Sequence, residues 1–377
     1  MKIAQISPYF YPVTGGMENH VLEISKRLSR YYEVTIITSN RDRNGKKLPI
    51  YEKLGKISII RANTLIKTSE FSSFFPAAFE LFKNYDLLHI HAYRHPHNLI
   101  PIFTKSPSIL TPHYPVYPFS PKKRRFFISI YDRIIGRKVL FSYKKIIALT
   151  QGEKDWLIKS FGIPENKITI IPNGIPEIFL KKHNSSKFRE KFSIQKDKFL
   201  ILAVGRIHFS KGFQDLILAY KILPENIREN ITLAIVGPDC GYLTKLKELV
   251  SLLKLEKNVI FVGEIPEDLK LSAYESCDLF VLPSYWEGFG ITLLEAMAKD
   301  KPVLARNAGG QKWVVPEKEF LFEDVESLSE KIKLIYLGKL KKTLNYREIV
   351  KKNYTWNKIV EKIIKVYEEV LSNNNSI

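Results

Sequence analysis

Short apolar runs alternate with longer amphipathic stretches along nearly the whole chain. Lys2–Ser7 (KIAQIS) reads as a buried strand. The stretch from Gly15-Gly16 to about Arg30 reads as a helix whose apolar face is Val21, Leu22, Ile24 and Leu28. Glu33–Ser39 (EVTIITS), Leu87–His91, Ile109–Thr111 and Lys145–Thr150 predict further strands. Gln151–Phe161 predicts a helix, and Ile168–Ile171 a strand closed by Pro172-Asn173-Gly174. A second series opens at the wholly apolar Phe199–Val204. It continues with a helix from about Phe213, strand Ile231–Gly237, helix Tyr242–Leu253, strand Val259–Val262 and helix Leu269–Ser276. A strand ending at Pro283, a helix over Ile291–Ala298 and a strand over Pro302–Ala305 follow. A long amphipathic helix, Lys358–Leu371, comes after Tyr354-Thr355-Trp356. Such alternation predicts α/β architecture with parallel sheets.

The chain has 377 residues, more than one ordinary core needs, so two domains are expected. The polar, charged stretch Lys181–Lys198 suits a boundary. The division is placed at residues 1–175, 176–353 and a terminal helical segment 354–377. Two cysteines, Cys240 and Cys277, form no disulfide framework and lack metal-ligand spacing, which suits a reducing cytosol. The apolar run before Pro8 is too short for a signal peptide core, and no run is long enough to span a bilayer. A cytoplasmic protein, soluble or peripheral on the inner face of the membrane, is expected.

Charge changes the picture in one place. The net charge is +20, but its cations are spread over the chain and no nucleic-acid motif accompanies them, so no nucleic-acid partner is expected. One cluster stands out. Lys122-Lys123-Arg124-Arg125 is followed directly by Phe126-Phe127, then by Arg133, Arg137, Lys138 and Lys144-Lys145. Cations interleaved with rings suit an anionic membrane surface.

Candidate chemistry gathers at strand-to-helix loops. Between the strand ending at Pro283 and the helix from Ile291 lies a loop with Gly288 and Gly290, flanked by Glu287 and Glu295. Unpaired backbone N–H groups at such a loop attract phosphate. Gly205-Arg206 and Lys211-Gly212 form a second such loop, where arginine supplies a fork and lysine a point charge for a diphosphate. Gly237-Pro238 ends a third strand. Gly15-Gly16 forms the first turn of a βαβ unit, yet the dinucleotide fingerprint is absent: GxGxxG is missing, and the second strand ends in Thr38-Ser39-Asn40 without an acidic residue. His89, His91, His95 and His97 invite a metal reading. No acidic partner follows at ligand spacing and Pro96 breaks any helix that would align them, so no metal site is expected there. His91 ends its strand, and His113 follows the end of the next.

The stretch EGFGITLLE, Glu287 to Glu295, resembles the Glu-x7-Glu signature of retaining GT-B glycosyltransferases of the family-4 type. GGMENHV from Gly15 is similar to the GG-x-E-x-H-V loop of that family. Gly205-Arg206 to Lys211-Gly212 is similar to its G-R-x4-K-G pattern, and IPNGI to its interdomain linker. The resemblance covers nearly the whole chain and is thinnest from Arg41 to Phe82. It implies two Rossmann-like domains with a deep interdomain cleft and a C-terminal helix crossing back to the first domain. It implies a nucleotide-diphosphate sugar as donor substrate and no cofactor. No Asp-x-Asp with a metal-binding context occurs, so no required metal is expected.

The same resemblance implies roles. Glu287 would lie beside the donor sugar and Glu295 on the ribose. The backbone of Gly288, Phe289, Gly290 and Ile291 would meet the diphosphate together with Arg206 and Lys211, and His113 would lie beside the transferred sugar. Gly15 and Gly16 would approach the acceptor or donor phosphate, with Gly205 and Gly237 facing the cleft. A front-face transfer is implied, and a lipid-linked or polysaccharide-type glycan as acceptor at the membrane face. The chain departs from the pattern at Trp313, where the family has glutamate, and in the shortened segment Val315–Leu321. Rival classes are a non-transferring GT-B enzyme such as an epimerase or phosphorylase, a glycoside hydrolase using Glu287 and Glu295, and a basic RNA-binding protein.

Overall fold

The apolar run Lys2–Ile6 (β1) lies inside an eight-stranded sheet. The sheet's spatial order is β10 (Ile168–Ile170), β9 (Lys145–Ala148), β8 (Ser108–Thr111), β7 (Leu87–His91), β1, β2 (Glu33–Ser39), β4 (Ile57–Ala62) and β3 (Tyr51–Leu54). All neighbours are parallel except β3, which pairs antiparallel with β4 at the edge. The inner strands are buried on both faces, which is why they read as continuous apolar runs. A two-stranded hairpin, β5 (Ile66–Ser69) and β6 (Ser72–Phe74), is separate from this sheet.

A second sheet holds six parallel strands in the order β13 (Val259–Gly263), β12 (Ile231–Val236), β11 (Phe199–Val204), β14 (Leu279–Leu282), β15 (Val303–Arg306) and β16 (Leu321–Phe322). The structure, a computed structural model, describes residues 1–64, 66–69, 72–74, 82–116 and 121–373. They divide into one unit of Met1–Gly174 with Trp356–Ile377, and another of Ile175–Thr355. Both units have the parallel α/β sheet expected of a GT-B protein.

The first unit includes the end of the chain because of one amphipathic helix, Trp356–Ser372. Trp356, Ile359, Val360, Ile363, Val366, Tyr367 and Val370 recur at helical spacing, and all are buried. They share a core with Ile3, Val34, Ile36 and Leu87 from the sheet and with Val21, Ile24 and Leu28 from the helix Gly16–Leu28. Each such side chain contributes about 1.5–3 kcal/mol of gross burial, so this helix is an integral part of the first unit.

Among the parallel strands of each sheet the order reverses once. The reversal lies between β1 and β7 in the first and between β11 and β14 in the second. Loops leaving the carboxyl ends of such a strand pair run to opposite sides and open a crevice between them.

Candidate active site

In the second unit the crevice lies between the loops that follow β11 and β14. Hydrogen bonds stitch these loops together. Tyr285 N donates to Ser210 O at 3.0 Å, and Gly310 N, from the loop after β15, donates to Glu287 O at 2.8 Å. The Gln311 amide, fully buried, donates to Ser284 O at 2.7 Å and to Arg306 O at 3.2 Å. Gly237 is held at φ 145° so close to β11 that an added Cβ would lie 2.0 Å from Gly205 O, so only glycine fits. Gly290, at φ 99°, turns the loop into the helix Ile291–Met297.

The charged side chains meet inside this frame. Lys211 Nζ lies 2.5 Å from Glu287 Oε1, and Ser284 Oγ donates to the same oxygen at 2.7 Å. Both partners of the ion pair are about one-fifth exposed, at 19% and 20%. Lys211 is paired within the site, and the exposed Arg206 guanidinium has no ion-pair partner among the described residues.

Glu295 lies on the buried side of its helix. Its Oε2 accepts from Tyr274 OH at 2.6 Å, and its Oε1 lies 3.2 Å from Lys270 Nζ. A carboxylate can accept about four hydrogen bonds, so both oxygens keep capacity for hydroxyl donors. Phe289 is buried against Tyr354 and offers only its backbone. The helix Ile291–Met297 has seven residues. So short a helix adds little dipole, and the side-chain cations are the main electrostatic feature.

In the first unit the crevice follows β1 and β7, and histidines line it. Gly15 is extended, at φ 171°, and Gly16 begins the helix that carries Glu18 and His20. Glu18 Oε1 accepts from Arg43 at 2.6 Å. His113 lies in a strained turn after β8, with φ 61°, followed by Tyr114 at φ 44°. Two successive non-glycine residues in the left-handed region each cost about 1–2 kcal/mol, so the surroundings must hold them. They do so through Glu153. This fully buried carboxylate accepts from Leu149 N at 2.6 Å and also from Tyr114 N. Burial pushes its carboxyl up to about 7.

The four histidines His89, His91, His95 and His97 do not converge as a set. His91 meets His20 and His113 instead, with one ring nitrogen of each lying within 4.8 Å of the others. His91 Nδ1 is 3.2 Å from His113 Nε2, and His91 Nε2 donates to Gln5 Oε1 at 2.7 Å. Gln5 donates its amide to Tyr367 OH, which also bonds His89 Nδ1 at 2.7 Å. His89 Nε2 completes the row on Thr111 Oγ1 at 2.8 Å. Burial pushes the His20 imidazole down to about 4. Burial and neighbouring imidazoles lower His91 and His113 well below the usual range.

Sequence reasoning missed Gln5, Asn173, Glu153, Ser284, Gln311 and Tyr367. Thr150-x-x-Glu153 carries a capping-box signal that could have drawn attention to Glu153. His20 lies within the quoted glycine-loop motif. Nothing local marks Gln5 or Tyr367.

The basic cluster forms the helix Lys122–Tyr131, which buries none of its residues. Phe126 and Phe127 are 63% and 59% exposed, and Ile134, further along the chain, is 70% exposed. Arg94, Lys123, Arg124, Phe127 and Tyr131 line an open groove beside it.

Two family descriptions match nearly end to end. Glycosyltransferase Family 4 matches residues 14–177, and Glycosyl transferases group 1 matches residues 184–356. A glycosyltransferase of Methanocaldococcus jannaschii is 26% identical over 403 residues, covering 98% of each chain. The phosphatidylinositol N-acetylglucosaminyltransferase gpi3 subunit of Schizosaccharomyces pombe is 23% identical, covering 98% of this chain and 81% of its own. The solved structure of Anabaena HepE with UDP superposes with a TM-score of 0.74 at 19% identity, over 98% of this chain and all of the other.

Proposed function

We propose that this chain, which belongs to the group 1 and family 4 glycosyltransferases, transfers a sugar with retention of configuration to a lipid-linked or polysaccharide-type glycan. The donor is a nucleotide-diphosphate sugar. The observation that carries the reading is the Lys211–Glu287 pair beside the unpaired Arg206, in the crevice where the second sheet reverses.

In this reading Arg206 and Lys211 meet the diphosphate and stabilise the charge that grows as it leaves. The backbone of Gly288–Ile291 adds N–H donors. Glu287, held by Lys211 and Ser284, orients the sugar hydroxyls, and Glu295 takes the ribose hydroxyls. Gly205 and Gly237 keep the floor of the crevice free of side chains. The bond from the anomeric carbon to the β-phosphate oxygen breaks. The acceptor oxygen bonds to the same face of that carbon, and its proton passes to the leaving phosphate. His113 holds the sugar, and the Gly15-Gly16 loop approaches the acceptor or donor phosphate. These residues supply the charge stabilisation without a metal, so turnover should survive a chelator.

The acceptor part of the proposal rests on the exposed rings and cations of Lys122–Tyr131. No described helix is long and apolar enough to cross a membrane. A surface helix with Phe126 and Phe127 beside Lys122, Lys123, Arg124 and Arg125 suits peripheral binding to anionic lipid on the cytoplasmic face. The S. pombe relative, by its name, acts on phosphatidylinositol, which supports a lipid acceptor. The test is release of nucleoside diphosphate from a panel of nucleotide sugars, with and without lipid-phosphate acceptors. Release that depends on acceptor is expected. Interconversion of the nucleotide sugar with no acceptor would overturn the transfer reading in favour of an epimerase.

A further inference from the structure

The imidazoles of His20, His91 and His113 form a compact triangle within the first unit. Their ring centroids are 5.0 Å apart for His20 and His113, and 5.5 Å for each of the other two pairs. The hydrogen-bond network assigns the proton on two of them. The Gln5 amide nitrogen donates to Tyr367 OH, so Gln5 Oε1 must accept from His91 Nε2–H. That leaves the lone pair of His91 on Nδ1, the atom facing His113. His20 Nδ1 lies 2.7 Å from Asn173 Oδ1, a carbonyl oxygen that can only accept, so this nitrogen carries the proton. The lone pair of His20 is therefore on Nε2. This atom is buried, on a side chain 1% exposed, and has no hydrogen-bond partner.

An orphaned lone pair in a buried position costs about 1–3 kcal/mol. Beside it lie a second lone pair and a third ring nitrogen that can offer one by changing tautomer. Each of the first two rings has its far N–H fixed on an amide oxygen. That is the outer-shell arrangement that orients a metal-bound histidine and raises its basicity.

We propose that His20, His91 and His113 form a three-histidine site for a divalent transition cation of the zinc type, with a fourth position open on the side of His113. In a tetrahedral zinc site, with about 2.0–2.1 Å to each nitrogen, ligand nitrogens lie roughly 3.3 Å apart. His91 Nδ1 and His113 Nε2 already lie at 3.2 Å. One ring nitrogen of each of the three residues lies within 4.8 Å of the others, and a small ring movement would bring the unpartnered His20 Nε2 onto the other two. His20 and His91 are fully buried and His113 is partly exposed, so entry is past His113. Three neutral nitrogen donors with no carboxylate favour zinc, copper or nickel over magnesium or calcium.

The site has a consequence that rests on the proposed contact of His113 with the transferred sugar. A cation that holds His113 Nε2 removes that contact, so zinc inhibits transfer and a chelator restores it.

The experiment is titration of the full chain with cobalt(II), read by its visible ligand-field absorption, with zinc added in competition. One tetrahedral cobalt per chain, displaced by one zinc, is expected. The His113→Gln variant alters only a partly exposed side chain, and because it removes a ligand it should weaken cobalt binding by more than about 100-fold, the upper range for losing an outer-shell partner. The His183→Asn variant, in the other unit, should bind cobalt as the wild type does. No tetrahedral spectrum in the wild type, or unchanged binding in His113→Gln, overturns the site. Stoichiometric binding in a chain whose transfer zinc does not slow leaves the metal site standing and overturns the sugar contact of His113.

Discussion

Lys211 Nζ and Glu287 Oε1 lie 2.5 Å apart at the carboxyl end of the second sheet, and Ser284 Oγ donates to that same carboxylate oxygen. The pair couples two jobs. The ammonium that would meet the diphosphate also holds the carboxylate that would orient the sugar. Arg206, exposed after β11, has no ion-pair partner among the described residues.

That coupling separates binding from turnover. Glu287→Gln keeps the hydrogen bond from Ser284 but loses its charge, so Lys211 turns wholly to phosphate. Nucleoside diphosphate should bind tighter by a few fold while kcat falls by about 100-fold or more. Calorimetry and steady-state rates on the same preparation read both. Weaker diphosphate binding would contradict the assigned role of Lys211.

Glu295 should matter for the nucleoside and not for the phosphates. Glu295→Gln puts an N–H donor where the ribose hydroxyls would donate, and it disturbs the bonds to Tyr274 and Lys270. Nucleoside diphosphate binding should weaken by about 1.5–3 kcal/mol, the range for a charged hydrogen bond, while pyrophosphate binding stays unchanged. Equal loss for both ligands would place Glu295 outside the ribose site.

Acid should weaken the first unit. Burial holds His20 and His97 down to about 4 and lowers His89, His91, His95 and His113 well below the usual 6.5. The unfolded chain then binds more protons than the folded one between 6.5 and about 4. Stability is full above 6.5 and is lost as pH falls through that window. His20 alone accounts for roughly 3 kcal/mol at 1.36 kcal/mol per unit. Glu153 acts in the opposite direction. Its carboxyl is raised to about 7, so its contribution is lost as pH rises from 4.5 to 7, but it is one group against six. A melting temperature that falls from pH 7 to pH 5 is expected, and a constant or rising one would show that these rings are not buried neutral.

Vesicles test the surface helix. Co-sedimentation with anionic vesicles should exceed that with neutral ones and should decline with salt. Replacing Phe126 and Phe127 with serine should reduce binding at every salt concentration, because the rings act by burial. Replacing Lys122, Lys123, Arg124 and Arg125 with glutamine should remove the salt dependence. Binding indifferent to both sets would leave the helix as a solvated face.

Much of the fold was legible because buried parallel strands are apolar throughout. The predicted bounds of Glu33–Ser39, Leu87–His91, Gln151–Phe161 and Phe199–Val204 coincide with the observed elements. The edge strand Tyr51–Leu54 was missed because it is largely exposed and carries charged residues. The helix Val325–Tyr336 was missed although Asp324 and Ser327 form its capping box. At the site, Arg206, Lys211, Glu287 and Glu295 sit within local strand–loop–helix motifs, which is why spacing reveals them. The contact of His20 with His91 and His113 comes from three elements that meet only because the first sheet reverses between β1 and β7. No local pattern encodes it. Tyr367 is harder still, since it reaches Gln5 from the far end of the chain.

In the proposed function, the crevice between β11 and β14 binds the diphosphate of a nucleotide sugar through Arg206 and Lys211. Calorimetric titration of a panel of nucleoside diphosphates into the wild type and into Arg206→Ala and Lys211→Ala tests it directly. One nucleoside diphosphate should bind the wild type at a single site, and each substitution should weaken it by about 1.5–3 kcal/mol, roughly 10- to 150-fold. Undiminished affinity in either folded variant would contradict the account.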